Sequence, residues 1–202
     1  MTSQDPDSTQ TSRGRLLGAG KSLFARLGYE QTSTAAIARD AGSSESQLIR
    51  YFGGKAGLLE AIFNESWTGL NEEITKHVTE AEHGRDAILR ILGLMIDAFS
   101  RDHETAFLFL FEGRRIRGQG HEVVLSKGFR QFYELVGTLI QRGQADGSFR
   151  SDVSHGVLGS AMLGAAEGMI RDRVIAERTG QPNPFDDEEL RKTFMAMVNG
   201  LG

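Results

Sequence analysis

The chain has 202 residues, 39% hydrophobic and 25% charged, enough to bury a substantial core as one domain or two small ones. It has no cysteine, which excludes disulfides, thiol nucleophiles and cysteine zinc sites and fits a reducing compartment. No apolar run approaches the roughly 20 residues needed to span a bilayer, and the first dozen residues are polar and acidic, unlike a signal peptide, so a cytoplasmic protein is expected.

The net charge of -4 is unevenly spread. From Arg13 to Lys55 there are seven basic residues (Arg13, Arg15, Lys21, Arg26, Arg39, Arg50, Lys55) and three acidic ones (Glu30, Asp40, Glu45), so this stretch carries +4 and the remainder is negative. A modestly basic head on an acidic body is the asymmetry expected if only the head meets phosphates, with salt-sensitive binding.

Residues 1–11 are polar, contain a proline and lack periodicity, and are expected to form a disordered arm. A first helix is expected from Ser12, with Leu16, Leu17, Leu23, Phe24 and Leu27 at helical spacing and Gly28 ending it. The run Gly18-Ala19-Gly20-Lys21-Ser22 inside it resembles a phosphate-binding loop. Arg15 stands where that motif needs its first glycine and no strand precedes it, so the motif is rejected.

The next stretch is the most informative. Thr32, Ser33 and Thr34 supply hydroxyls that can cap free backbone N–H groups, and the helix-forming run Ala35 to Ala41 follows. Gly42 provides the left-handed turn, and a second helix starts at Ser43 or Ser44. Leu48 and Phe52, spaced i, i+4, mark its inner side, leaving Ser44, Glu45, Gln47, Ile49 and Tyr51 on outward or flanking positions. Gly53-Gly54-Lys55 then breaks the chain and starts a third helix, where the helix dipole and the lysine favour a phosphate. Two short helices about a glycine turn are what a DNA-reading helix-turn-helix requires: short polar side chains near the N-terminus of the reading helix and phosphate-reaching groups at its edges.

This stretch resembles the N-terminal DNA-binding domain of the tetracycline-repressor (TetR) family of bacterial transcription regulators. The resemblance rests on Gly28-Tyr29, the Thr/Ser cap, Ile37-Ala38, Ala41-Gly42, Leu48, Tyr51-Phe52 and Lys55 with Leu58-Leu59. It covers the first third of the chain in detail and the rest only in size and helicity. Three positions depart from the usual family pattern: Ser43 replaces an apolar residue, Ile49 a tyrosine that touches DNA, and Tyr51 a histidine. The base-edge candidates are Ser44, Glu45 and Gln47, with Gln47 suited to adenine and Glu45 to cytosine N4. Ser33, Tyr51 and Lys55 are the phosphate candidates, each with a helix cap or solvated side chain as the alternative. Ile49 cannot hydrogen-bond and could meet only a thymine methyl.

Beyond Lys55 a long helix is expected to about Glu82, broken at Gly84 and followed by a helix over 87–100. Thr105 to Glu112 (TAFLFLFE) alternates like a strand, but between helices a buried short helix is more economical. Arg114, Arg115 and Arg117 make a basic loop, read as a solvated helix end, with a phosphate contact or anionic-ligand gate as the alternative. Val124 to Gln144 is amphipathic, and two last helices are expected over 153–177 and 186–201. The first of these carries Gly159, Ala161, Gly164, Ala165, Ala166 and Gly168 among apolar residues, and the family resemblance implies that the last two helices pair with those of a second subunit as a four-helix bundle. Internal core is the alternative.

The five histidines are scattered without metal-ligand spacing and no nucleophile elbow occurs, so no metal, cofactor or catalytic residue is assigned and no enzyme is expected. Met95, Phe99, Phe107, Phe109, Phe111, Phe132, Met162 and Met169 could wall an apolar small-molecule pocket, and Glu112 and Glu167 could meet a cationic group. The expectation is an all-α protein of about nine helices: arm 1–11, helix-turn-helix domain 12–55, and a ligand-binding and dimerisation domain 56–202. The implied function is a dimeric regulator of a pseudo-palindromic operator on double-stranded DNA, released by an apolar or amphipathic small-molecule effector. The competing class is a helical ligand-binding protein that keeps the fold without sequence-specific DNA binding.

Overall fold

A computed structural model describes residues 6–113 and 125–202, with side chains from residue 12 onward. Arg114, Arg115 and Arg117 lie outside the described residues. Within the described residues the chain forms nine α-helices, one π-helical segment and no strand. These are α1 (Pro6–Leu27), α2 (Thr34–Asp40), α3 (Glu45–Phe52), α4 (Lys55–Val78), α5 (Gly84–Arg101), α6 (His103–Phe107), the π segment (Leu108–Glu112), α7 (Lys127–Ala145), α8 (His155–Thr179) and α9 (Asp187–Asn199).

Two compact units result, Met1–Ser66 with Phe107–Ser126, and Trp67–Ala106 with Lys127–Gly202. The division therefore runs through α4 and gives the first unit a segment from beyond residue 100, whereas a single boundary near residue 55 is the simpler reading of the sequence. Helix α1 also starts at Pro6 instead of Ser12. Proline is favoured in a first helical turn, where its missing N–H is no loss.

In the first unit Leu16, Phe24, Ile37, Leu48, Leu58 and Leu108 are completely buried. Gly20 packs against α4: a Cβ there would stand 2.7 Å from Leu58 Cδ2, so a larger residue would have to displace the Leu58 side chain. Ser33 caps α2 by accepting the Ala36 N–H at 3.1 Å, and the Arg15 Nε–H donates to the Ala41 carbonyl at 2.9 Å at its other end. Gly42 (φ +56) makes the turn and Gly53 (φ +73) closes α3 in the left-handed conformation that glycine adopts without strain. Leu48 is buried as expected and Phe52 is half-buried.

In the second unit, the Trp67 ring lies 5.1 Å from Phe132 and 5.5 Å from Phe129, between α4 and α7. Helices α5 and α7 cross at glycines: a Cβ on Gly84 would meet the Gly143 nitrogen at 2.3 Å and the Leu139 carbonyl oxygen at 2.5 Å. The N-terminus of α5 has no side-chain cap of its own. Asp146 supplies it, accepting the Gly84 N–H at 2.8 Å, while Ser148 Oγ accepts the Arg85 N–H at 3.2 Å. Helix α9 begins with a capping box in which Asp186 accepts the Glu189 N–H and Glu189 accepts the Asp186 N–H.

Candidate DNA-binding and effector sites

Helix α3 presents the side chains a groove-reading helix needs, and most are also used within the chain. Ser44 Oγ caps the helix by accepting the Gln47 N–H at 3.2 Å and lies 2.9 Å from Ser46 Oγ. Glu45 accepts from Thr34 Oγ1 at 2.6 Å, and Gln47 Oε1 accepts from Ser43 Oγ at 2.5 Å. Ser43, the departure from an apolar turn residue, thus orients the Gln47 amide. The bond uses one lone pair of Oε1 and neither N–H of the amide, so the carbonyl–amine face suited to adenine is kept. The Ser33 hydroxyl accepts as a cap and retains a hydrogen to donate to a phosphate. Tyr51 carries the Arg50 guanidinium 5.0 Å over its ring and accepts a hydrogen bond from Arg50 at 3.2 Å, which doubles the phosphate-reaching group at that edge. Lys55 donates to the Tyr29 carbonyl at 2.9 Å and has two further N–H donors. Ile49 is 56% exposed.

A cavity of ≈ 290 Å³ lies in the second unit between α5, α6, α8 and α9. Its apolar wall is Ile96, Phe99, Ala106, Ile170, Val174 and Leu190. Ser100, His103, Arg173, Glu177, Gln181 and Asn183 form its polar side. The charges there are internally matched. Arg173 pairs with Asp187, which also accepts from Ser100 Oγ at 3.0 Å. Burial pushes the Asp187 carboxyl up, but hydrogen bonds from Arg173 and Ser100 outweigh it and hold the group below the usual carboxylate range. His103 Nδ1 lies 2.7 Å from Glu177 Oε2, and its Nε2 lies 2.9 Å from the Ser100 carbonyl oxygen.

Of the sequence candidates for the ligand site, Phe99 lines this cavity. Met95, Phe132 and Met162 are buried in the same unit but are not among its lining residues, and Glu167 is half-buried on α8. Phe107 and Phe111 belong to the first unit, stacked with centroids 5.0 Å apart. Glu112 is 2% exposed, with Oε1 3.5 Å from the Tyr29 backbone N–H. Sequence reasoning missed Ile96, His103, Arg173, Val174, Glu177 and Leu190. Arg173 and Glu177 share a helix face at i, i+4, but nothing local indicates that Ser100 and His103 come to meet them.

Residues 16–62, covering the helix-turn-helix, match the family model of bacterial regulatory proteins, tetR family. The chain is 26% identical over 156 residues to the transcriptional repressor KstR2 of Rhodococcus jostii, covering 76% of each. KstR2 of Mycolicibacterium smegmatis is 21% identical over 99% of this chain and 95% of its own. Over residues 16–62 the chain thus carries a domain like the one that marks the tetR family of bacterial regulatory proteins. The fold is shared with solved regulators: the fatty acid degradation regulator FadR from Bacillus halodurans superposes with TM-score 0.80 at 18% identity, over 93% of this chain and 97% of that one. FadR from Bacillus subtilis in complex with stearoyl-CoA gives TM-score 0.80 at 15% identity, over 92% and 96%. The matched domain and the repressor relatives together make the chain a DNA-binding transcriptional regulator. No helix among the described residues is long and apolar enough to cross a membrane.

Proposed function

We propose that this regulator acts in the cytoplasm as a homodimeric repressor without enzymatic activity of its own. Two copies of α3, related by a two-fold axis, read a pseudo-palindromic operator with half-sites about 34 Å apart or a multiple of it. A compact apolar or amphipathic molecule in the cavity between α5, α6, α8 and α9 releases it. The observation that carries this reading is the solvent side of α3, where Ser44, Glu45 and Ile49 are exposed and Gln47 is half-buried, with the phosphate candidates Ser33, Tyr51 and Lys55 flanking the helix in the chain.

Dimerisation is supported by the uncovered side of α8. Val157 and Ile175 are 59% and 43% exposed, Ala161 and Gly164 lie between them at helical spacing, and Met195 of α9 is 46% exposed. An effector is supported by the cavity, whose volume is at the lower end of ligand pockets, and by KstR2 being a repressor and FadR of Bacillus subtilis having been seen with stearoyl-CoA. A ligand releases the operator only if it binds one dimer geometry more tightly than the other.

The test is selection of bound duplexes from a random pool, followed by titration of binding against salt and candidate ligands. A palindromic site that a ligand releases supports the proposal. Weak, sequence-independent binding alone would favour a ligand-binding protein on the same fold. The internal hydrogen bonds of Glu45 and Gln47 are what favour that second reading.

A further inference from the structure

The polar side chains along α3 are engaged by neighbours: Glu45 by Thr34, Gln47 by Ser43, and Ser44 and Ser46 by each other. Ile49 stands on the same face, four residues after Glu45 and three after Ser46, and is 56% exposed. No other large apolar side chain among the described residues of the first unit is so exposed, Leu27 following at 53%. Such exposure adds nothing to the stability of the unit. The basic surround of Arg50 and the net positive charge of residues 13–55 suit this face to a nucleic acid. In the major groove the apolar group on offer is the C5-methyl of thymine. A β-branched side chain on a helix keeps one strongly preferred rotamer, so little side-chain freedom is lost when it meets that methyl.

We propose that Ile49 reads the methyl of one thymine in each operator half-site, so that this base pair is selected by an apolar contact and not by hydrogen bonds. The proposal rests on the operator-binding reading above and names one determinant of its specificity.

The test uses the full-length protein and its selected operator, with each thymine replaced in turn by deoxyuridine. This removes the methyl and leaves the base pair intact. At one position per half-site the wild-type affinity is expected to fall about fourfold, and about fifteenfold when both half-sites are changed, the value of burying roughly one methyl-sized group at each. Ile49→Ala is expected to bind thymine and deoxyuridine operators equally, while Ile49→Val keeps the preference. Circular dichroism confirms that both variants are folded. A recovered operator in which no deoxyuridine weakens the wild type, or the same fall in Ile49→Ala, would overturn the role of Ile49 and leave the regulator reading standing. Recovery of no operator would sink both.

Discussion

The Lys55 ammonium donates to the Tyr29 carbonyl at 2.9 Å and lies 4.3 Å over the Tyr29 ring. One residue therefore joins the first residue of α4 to the turn after α1 while retaining two donors for a phosphate. Lys55→Ala is expected to lose both roles. Stability should fall by about 1 kcal/mol from the lost hydrogen bond and cation–π contact. Affinity should fall for all DNA sequences alike, and the slope of log K against log salt should decrease by roughly 1.8 for a dimer that loses two phosphate contacts. Thermal unfolding and a salt titration measure the two effects separately; an unchanged slope would confine Lys55 to its structural role.

Gln47→Ala should behave differently. It removes the amide whose carbonyl–amine face is oriented by Ser43. Discrimination at one base position is expected to fall by about 1–3 kcal/mol while binding at other positions and the salt slope are kept. Repeating the duplex selection with the variant gives the answer, and an unaltered site preference would remove Gln47 from the readout.

Two glycine substitutions should have opposite signs. Gly84→Ala drives a Cβ to 2.3 Å from the Gly143 nitrogen, so α5 and α7 must separate. The cost, about 3 kcal/mol, exceeds the roughly 1 kcal/mol that alanine contributes in helix propensity. Gly18→Ala meets nothing within 4 Å on an exposed part of α1 and should stabilise by up to about 1 kcal/mol. Chemical denaturation of the two variants in parallel checks the contrast.

Asp146 should set part of the acid limit of stability. Hydrogen bonds from Ser148 oppose burial, the Gly84 N–H adds to them, and the carboxyl is held at about 2 against an ordinary 3.8. A group depressed in the folded state stabilises above its unfolded pKa and loses that contribution as pH falls through the folded one. Asp146→Ala is therefore expected to cost about 1–2 kcal/mol near neutrality, the usual loss for a helix cap. The difference from wild type should close as pH is lowered from about 4 to about 2, measured by denaturant unfolding across that range. A difference independent of pH would assign the cost to something other than the carboxylate.

Val174→Phe places a larger side chain on the wall of the ≈ 290 Å³ cavity. Operator affinity is expected to remain and effector release to be lost, as read by DNA binding with and without a ligand that releases the wild type. Continued release would move the effector site elsewhere.

The helix-turn-helix was legible because its determinants are local. Ser33 and Ser44 announce caps, Gly42 a left-handed turn and Leu48 an inner face within a few residues of one another, and the folded chain uses each in that role. The cavity was not, because its walls come from four helices and its pairs join residues as distant as His103 and Glu177. Large apolar residues such as Phe132 and Met162 look alike in sequence whether they fill a core or face a void. The glycines at the α5–α7 crossing were silent for a related reason: close approach is a property of two helices, and Gly84 reads in isolation as a helix breaker. Alternating TAFLFLFE became α6 and a π segment, a short wide turn whose pattern fits neither helix nor strand periodicity.

The π segment brings Leu108, fully buried, and Glu112, beside the Tyr29 N–H, into the first unit. Lys55 grips the carbonyl of that same tyrosine. The head is thus not a detachable cassette. A fragment ended at residue 66 would uncover the surface that Leu108 closes, and grafting this DNA reader onto another protein requires carrying the distant stretch along with it.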